Sequence, residues 1–329
     1  MLKPIVVAIA ASVLPAIPAE AQWRHELSGI SMPETVGDMR RGQERRVEKD
    51  GSDIYVQYGT DTEPVTLYVY RSSHPSPALW FERTRTAMAG NVGQLSGSTP
   101  ARTFTLGPAG APNGLRGEFA LPGTPWKSTA VAIAQHGEWL VKARVTSQTL
   151  DPAGVAKRMN TLLAAIQFAN TPKSSPFPLT APAICTRAAS FAGKAANGEE
   201  PQARGALMGV VAFADAHPGA EATGLAAKPQ EWCREEVGNL AQSVSYYRKL
   251  DGTAWTALLG DAGVTTSAYA FRDAPEKKGA AVYLNRTGPA LLVETYDALP
   301  DLQTGASAAL AVMAGQRQPL ASIGAHGTQ

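Results

Sequence analysis

Few side chains in this sequence have the type and spacing that catalysis or metal binding needs. The histidines are scattered, and none lies three or four residues from another: His25, His74, His136, His217 and His326. A zinc site needs three or four converging ligands, usually with such local spacing. The metalloprotease, nucleophile-elbow, Ser-x-x-Lys and phosphate-loop motifs are also missing. We therefore predict no catalytic residue, no metal site and no cofactor, although distant segments that converge in space would escape this test.

Two acidic pairs, Glu199-Glu200 and Glu235-Glu236, are adjacent in sequence. Adjacent residues on a helix point in different directions, so neither pair has two facing carboxylates. Both are interpreted as solvated surface charges. Glycoside hydrolysis by two carboxylates would need partners from separate segments, and the sequence selects none.

A basic cluster is the first candidate binding feature. Arg40, Arg41, Arg45 and Arg46 lie within seven residues, with Glu44 among them and Glu48 two positions beyond. Guanidinium groups pair well with phosphate and carboxylate, so this cluster could bind a lipid headgroup, an acidic polysaccharide or another acidic partner. The simpler alternative is a solvated strand or loop edge, partly neutralised by the two glutamates.

A row of tyrosines is the second candidate. Residues 54–58 and 65–69 alternate apolar and polar on either side of a polar turn, which predicts a β-hairpin. If Ile54 and Val65 face the helices, the period of two places Tyr55, Tyr68 and Tyr70 on the other face. An uncovered face of this kind would be a binding surface, since each ring has an apolar body and a polar tip. Alternatively, a loop or the rest of the chain covers it.

Other elements follow from similar patterns. Ser76-Pro77 and Asp151-Pro152 each begin a predicted helix, and a second hairpin turns at His136-Gly137. Near the C-terminus, a hairpin over 281–296 precedes a helix that starts at Asp301. This unit resembles the hairpin and helix before residue 171. A diverged duplication and two separate units of a common type both account for the likeness.

Four prolines lie within residues 172–182, which predicts an extended linker between a domain at 22–171 and a second domain at 183–329. We expect an α+β fold with two domains, each an antiparallel sheet with helices packed on one face. Helices are predicted at 183–195 and 230–242. Cys185 and Cys233 would then join two helices by a disulfide, with two buried free thiols as the alternative.

The N-terminus predicts export. Lys3 is followed by an apolar run over 5–17, and Ala19 and Ala21 are the small residues that precede a signal-peptidase cleavage site. The run is too short to span a membrane, and no later stretch is long enough. Residues 1–21 are thus interpreted as a signal peptide, leaving a soluble periplasmic protein without a transmembrane segment.

The strand–helix–strand–helix order over residues 24–169 resembles the PsbP-like α/β sandwich, a fold of lumenal and periplasmic accessory proteins. The residues that carry the resemblance are the first hairpin, the hairpin over 131–145, and the helix that runs into Leu162, Leu163, Ile166 and Phe168. The resemblance implies a binding or scaffolding role without a catalytic constellation.

Composition agrees with a globular protein that does not bind nucleic acid. Of 329 residues, 44% are hydrophobic, and 30 basic side chains nearly balance 28 acidic ones. We expect a periplasmic accessory or binding protein without catalytic activity that contacts an envelope protein or a small ligand. An envelope hydrolase with a site at the interdomain cleft is the alternative, and a folding or secretion helper is a third.

Overall fold

The computed structural model describes residues 22–92, 95, 101–108, 110–171, 175–187, 189–216, 224–237, 243–261, 263–274, 277–286 and 289–324. The predicted signal peptide, residues 1–21, lies outside these ranges. Within them, no helix has both the length and the apolar character needed to cross a membrane.

The first half of the chain forms one large sheet and two long helices. Its elements are β1 (Trp23–His25), β2 (Ile30–Met32), β3 (Thr35–Val36), β4 (Met39–Arg40), β5 (Glu44–Arg46), β6 (Asp53–Thr60), β7 (Glu63–Arg71), α1 (Pro77–Val92), β8 (Arg102–Phe104), β9 (Gly114–Ala120), β10 (Ser128–His136), β11 (Trp139–Ser147), α2 (Pro152–Ala165) and β12 (Gln167–Phe168). Seven strands make sheet 1, in the order β5-β6-β7-β11-β10-β9-β8. All its pairings are antiparallel, and both predicted hairpins are confirmed.

The second half forms another seven-stranded antiparallel sheet, sheet 2. Its elements are α3 (Glu199–Ala216), a 3-10 turn (Pro229–Glu231), β13 (Trp232–Glu235), β14 (Val244–Lys249), β15 (Ala254–Leu259), β16 (Val264–Ala274), β17 (Lys277–Asn285), β18 (Ala290–Tyr296), α4 (Leu302–Met313) and β19 (Ala321–Ile323). Each strand of sheet 2 pairs with the next in sequence, whereas sheet 1 pairs β7 with β11. The two halves therefore share the hairpin-plus-helix unit but differ in strand order.

Local sequence explains the helices that were predicted. Asp151 caps α2 by accepting a hydrogen bond from the Gly154 N–H at 2.7 Å, and Asp301 caps α4 by accepting from the Thr304 N–H at 2.8 Å. Such caps satisfy backbone donors that a helix leaves unpaired at its start. Helix α1 begins at Pro77, as predicted.

The α+β fold with antiparallel sheets is confirmed, while the helices lie on both faces of each sheet. Helix α2 packs on one face of sheet 1 and α1 on the other, and sheet 2 is likewise between α3 and α4. The inner face of each sheet is the one that faces the other half of the chain. One hydrophobic core joins the two inner faces across α1, and Trp80 and Tyr247 are both buried in it.

Neither predicted helix that carries a cysteine is present among the described residues, and residues 238–242 of the second prediction lie outside them. The described parts of 183–195 are extended, Ile184 forms a parallel bridge with Arg234, and Cys233 lies in β13. The disulfide itself is present, with a Cys185–Cys233 S–S distance of 2.06 Å. It therefore joins an extended segment to the edge strand of sheet 2. Closing a loop of 48 residues stabilises a fold by about 4 kcal/mol in the chain-entropy model.

Helix α3 was not predicted, because two glycines interrupt its pattern. These glycines have a packing role. A Cβ on Gly205 would stand 2.8 Å from Thr295 Cγ2, and one on Gly209 would stand 2.4 Å from Ile323 Cδ1. The absence of side chains at both positions allows α3 to approach sheet 2 closely, which compensates for their low helix propensity.

Candidate functional site

The predicted tyrosines do lie on one face, and strand register aligns two of them with charged residues. Across β5, β6, β7 and β11, Arg45 is opposite Tyr55, Tyr55 is opposite Tyr68, and Tyr68 is opposite Lys142. The ring centroids of Tyr55 and Tyr68 are 5.5 Å apart, and the Lys142 Nζ lies 4.3 Å from the Tyr68 centroid. One row on the inner face of sheet 1 thus places two aromatic rings between two cationic groups.

A second row runs beside the first. Gln57 is opposite Thr66, and Thr66 is opposite Arg144. We call the partly or fully exposed members of the two rows the Arg45–Arg144 face, which consists of Arg45, Tyr55, Gln57, Thr66, Tyr68 and Arg144. Within the described ranges, neither arginine has an acidic partner within 4.0 Å, and the Arg144 Nε is buried without a hydrogen-bond partner.

Tyr70, the third predicted tyrosine, is covered instead. Its side chain is 1% exposed and packs edge-on against Trp80, with ring centroids 6.1 Å apart. The turn between β15 and β16 lies over this end of the row, and a Cβ on Gly263 would stand 2.5 Å from the Arg71 carbonyl oxygen. The two interpretations of the tyrosine row therefore apply to different residues: the rest of the chain covers Tyr70, while Tyr55 and Tyr68 remain partly exposed.

The buried end of the row forms a polar contact between the halves, which we call the Lys142 contact. The Lys142 Nζ lies 2.6 Å from Asp261 Oδ2 and donates to the Asp261 carbonyl oxygen at 3.1 Å. Thr84 Oγ1 donates to Asp261 Oδ1 at 3.1 Å, and Arg83 Nε donates to the Gly260 carbonyl oxygen at 2.7 Å. The contact therefore attaches the turn of sheet 2 to both sheet 1 and α1.

Burial shifts the protonation equilibria at this contact. Desolvation lowers the pKa of Lys142, although the nearby Asp261 carboxylate partly opposes the shift. Desolvation raises the pKa of Asp53 to about 6, with Lys142 opposing. Burial also raises the pKa of Tyr68 and, more strongly, that of Tyr70. Since Lys142 is 2% exposed and paired, its charge serves the contact between the halves.

The predicted basic cluster does not converge on one surface. Arg40 is exposed at the end of β4, and Arg41 pairs with Glu34 at 2.7 Å. Arg46 lies opposite Ile54 and so points to the outer face, where it stands 3.6 Å from Glu44. Alternation along β5 leaves Arg45 on the inner face with Tyr55. Only Arg45 of the four joins the tyrosines.

Sequence reasoning missed Lys142 and Arg144. Both interrupt the apolar strand Trp139–Ser147 at alternate positions, which places them on one face. That alternation was a usable signal, although the pairing of β11 with β7 on its other edge from β10 could not be read from it. Within the described ranges, no group of three or more His, Cys, Asp or Glu residues is arranged to hold a metal ion.

Comparison with known proteins gives a partial structural resemblance. No protein-family model and no curated protein matches the chain. Among solved structures, the cyanobacterial PsbP (CyanoP) from Synechocystis sp. PCC 6803 is similar at 9% identity and a TM-score of 0.33, covering 49% of this chain and 98% of that one. A structure from Bacteroides thetaiotaomicron VPI-5482 is similar at 10% identity and a TM-score of 0.27, covering 73% and 83%. The resemblance to PsbP is weak and partial.

Proposed function

We propose that this protein is exported to the periplasm, loses residues 1–21, and acts there without catalysis as an accessory protein that binds an acidic partner. The observation that carries the proposal is the Arg45–Arg144 face. On it, two guanidinium groups without an acidic partner among the described residues flank two partly exposed tyrosine rings.

The chemistry of this face suits an acidic partner. Guanidinium groups form charge-assisted, often bidentate hydrogen bonds with carboxylate or phosphate. Tyrosine rings add apolar contact area with little loss of conformational freedom. The nearby Lys142 is already neutralised by Asp261. The two arginines are therefore the charges that remain for a partner.

An envelope hydrolase is the second candidate, and Asp53 is the observation that favours it. Asp53 is 5% exposed, and a carboxyl group whose pKa is raised to about 6 can exchange a proton near neutral pH, as a general acid or base must. If the protein hydrolyses an ester or glycoside substrate, Asp53→Asn should abolish turnover, while changes on the Arg45–Arg144 face should not.

Charge reversal on the face tests the proposed function. The purified protein is applied to immobilised poly-L-glutamate, a probe for acidic segments, and eluted with salt. We expect Arg45→Glu with Arg144→Glu to weaken retention strongly. The matched control, Arg24→Glu with Arg40→Glu, changes net charge equally but away from the face, and should weaken retention only slightly. Equal loss in both double variants would show nonspecific ion exchange and contradict the proposal.

Export has a separate test. The protein is recovered from periplasmic and cytosolic fractions, and its N-terminus is sequenced. We expect periplasmic protein that begins at Gln22. An intact N-terminus on protein confined to the cytosol would refute the envelope role.

A further inference from the structure

A cavity between the halves has the features of a small-anion site. It encloses about 340 Å³ between α1 and the edge of sheet 2. Arg85 and Thr86 contribute from α1, and Arg234 and Ser245 contribute from β13 and β14. We call this cavity the α1–β13 cleft. It is distinct from the Arg45–Arg144 face and shares no residue with it.

The cationic groups of the cleft are incompletely neutralised. Arg85 Nη2 donates to Glu82 Oε2 at 2.7 Å, whereas Arg234 Nη1 reaches the same oxygen only at 3.4 Å and donates to the neutral Thr86 hydroxyl at 3.2 Å. Charge-assisted bonds of this type are normally 2.7–2.9 Å long. The Arg234 side chain is 16% exposed, so water screens it poorly. One carboxylate therefore serves two guanidinium groups, and Arg234 has the weaker share.

The other acidic groups of the cleft do not compensate Arg234. Glu235 forms an ion pair with Arg248, whose side chain lies on the other face of sheet 2. Glu236 is exposed and lines the cleft without a described ion pair. Its carboxylate would repel an anion, so removing the charge of Glu236 should strengthen anion binding.

Buried hydroxyl groups provide the second, independent observation. Ser245 is 3% exposed and lines the cleft, and its Oγ has no hydrogen-bond partner among the described residues. Tyr247, two residues along β14 and on the same face, has a buried hydroxyl that is equally unpartnered. Unpaired buried polar groups are uncommon in native proteins, and each one calls for an explanation such as a bound ion or ligand.

We propose that the α1–β13 cleft binds a small molecule through an oxyanion, with the Arg234 guanidinium and the Ser245 hydroxyl as donors. Carboxylate and phosphate share this chemistry. Ala89, Val237 and Val244 also line the cleft and would contact an apolar part of the molecule. A ligand held there touches both halves of the chain.

Binding can be measured by calorimetry and thermal unfolding with two probes, hexanoate and inorganic phosphate. We expect at least one to bind and raise the melting temperature. Arg234→Gln should weaken binding by about 10-fold or more, because a charge-assisted hydrogen bond is lost. Glu236→Gln should tighten it. Arg41→Gln, which removes an ion-paired arginine far from the cleft, should leave affinity unchanged.

Ser245→Ala is the sharpest variant because it separates binding from folding. Removing a hydroxyl that has no partner among the described residues should not lower the melting temperature of the free protein, whereas affinity for the probe should fall several-fold. Binding of hexanoate alone would assign a carboxylate ligand, and binding of phosphate alone a phosphate.

Three results would overturn the proposal. One is the failure of both probes to bind the wild-type protein. Another is an affinity that Arg41→Gln lowers as much as Arg234→Gln. The last is a melting temperature that Ser245→Ala lowers with no loss of affinity, which would show that the hydroxyl has a structural partner.

Discussion

Two polar regions join the halves of this molecule, and they differ in how well their groups are paired. At the Lys142 contact, a buried ammonium group meets a carboxylate at 2.6 Å and a carbonyl oxygen at 3.1 Å. In the α1–β13 cleft, Arg234 reaches its carboxylate only at 3.4 Å, and the Ser245 hydroxyl has no described partner. A paired contact holds structure, whereas unpaired buried groups cost stability unless something else satisfies them. The Lys142 contact therefore has a structural role, and the α1–β13 cleft is the proposed binding site.

Breaking the ion pair at the Lys142 contact should have the largest effect on stability. Asp261→Ala leaves the Lys142 ammonium buried without its carboxylate, and we expect a loss of about 3 kcal/mol in the free energy of unfolding, measured with urea. Lys142→Met in the same chain should restore most of the stability, because it removes the unpaired charge. Glu26→Ala, which breaks an exposed pair with Arg24, should cost less than about 1 kcal/mol. A lack of rescue by Lys142→Met would show that the Asp261 side chain acts through other contacts.

Asp53 should make the paired region sensitive to pH. Its pKa is raised from 3.8 to about 6, so the folded state holds the proton more tightly than the unfolded state. Asp53 therefore makes its full contribution to the free energy of unfolding below about pH 4. That contribution, on the order of 2 kcal/mol, is lost as the pH rises through 6. Asp53→Asn should remove that decrease, as measured by urea unfolding between pH 4 and 7. Parallel pH profiles for the two proteins would contradict the assignment.

The smallest expected effect on stability concerns the buried hydroxyl of Tyr247. Tyr247→Phe removes a buried hydroxyl that has no described partner, so the free energy of unfolding should stay the same or rise by up to about 1 kcal/mol. Tyr58→Phe is the matched control, because its hydroxyl donates to the Pro33 carbonyl oxygen at 2.9 Å. That change should cost about 1 kcal/mol. Equal losses in both variants would mean that Tyr247 is as well paired as Tyr58.

Much of the fold was predictable where the cause is local. The hairpins follow from apolar alternation around turn residues, and α2 and α4 follow from Asp caps before an apolar stripe. Helix α3 was not predicted. Its glycines lower helix propensity and are tolerated because they allow close packing on sheet 2. Helices were expected around Cys185 and Cys233. There, the backbone pairing of Cys185 N with the Arg234 carbonyl at 2.9 Å overrides that preference.

The candidate site was predicted in part. Tyr55, Tyr68 and Arg45 were singled out, and register aligns them in one row. Arg144 was missed because its place beside them depends on the pairing of β11 with β7. That pairing joins strands separated by α1 and three other strands, and no local pattern encodes it.

The sequence by itself determined which residues share a face, since the period of two in a strand is a property of the local backbone. It placed Tyr55, Tyr68 and Tyr70 together and Ile54 and Val56 on the opposite side. Only the tertiary structure decided which tyrosine is buried. Tyr70 is covered by a turn that Ser73 holds through a hydrogen bond to Gly263, 190 residues further along the chain. Contacts at that separation depend on how the two sheets pack, which alternation within one strand does not specify.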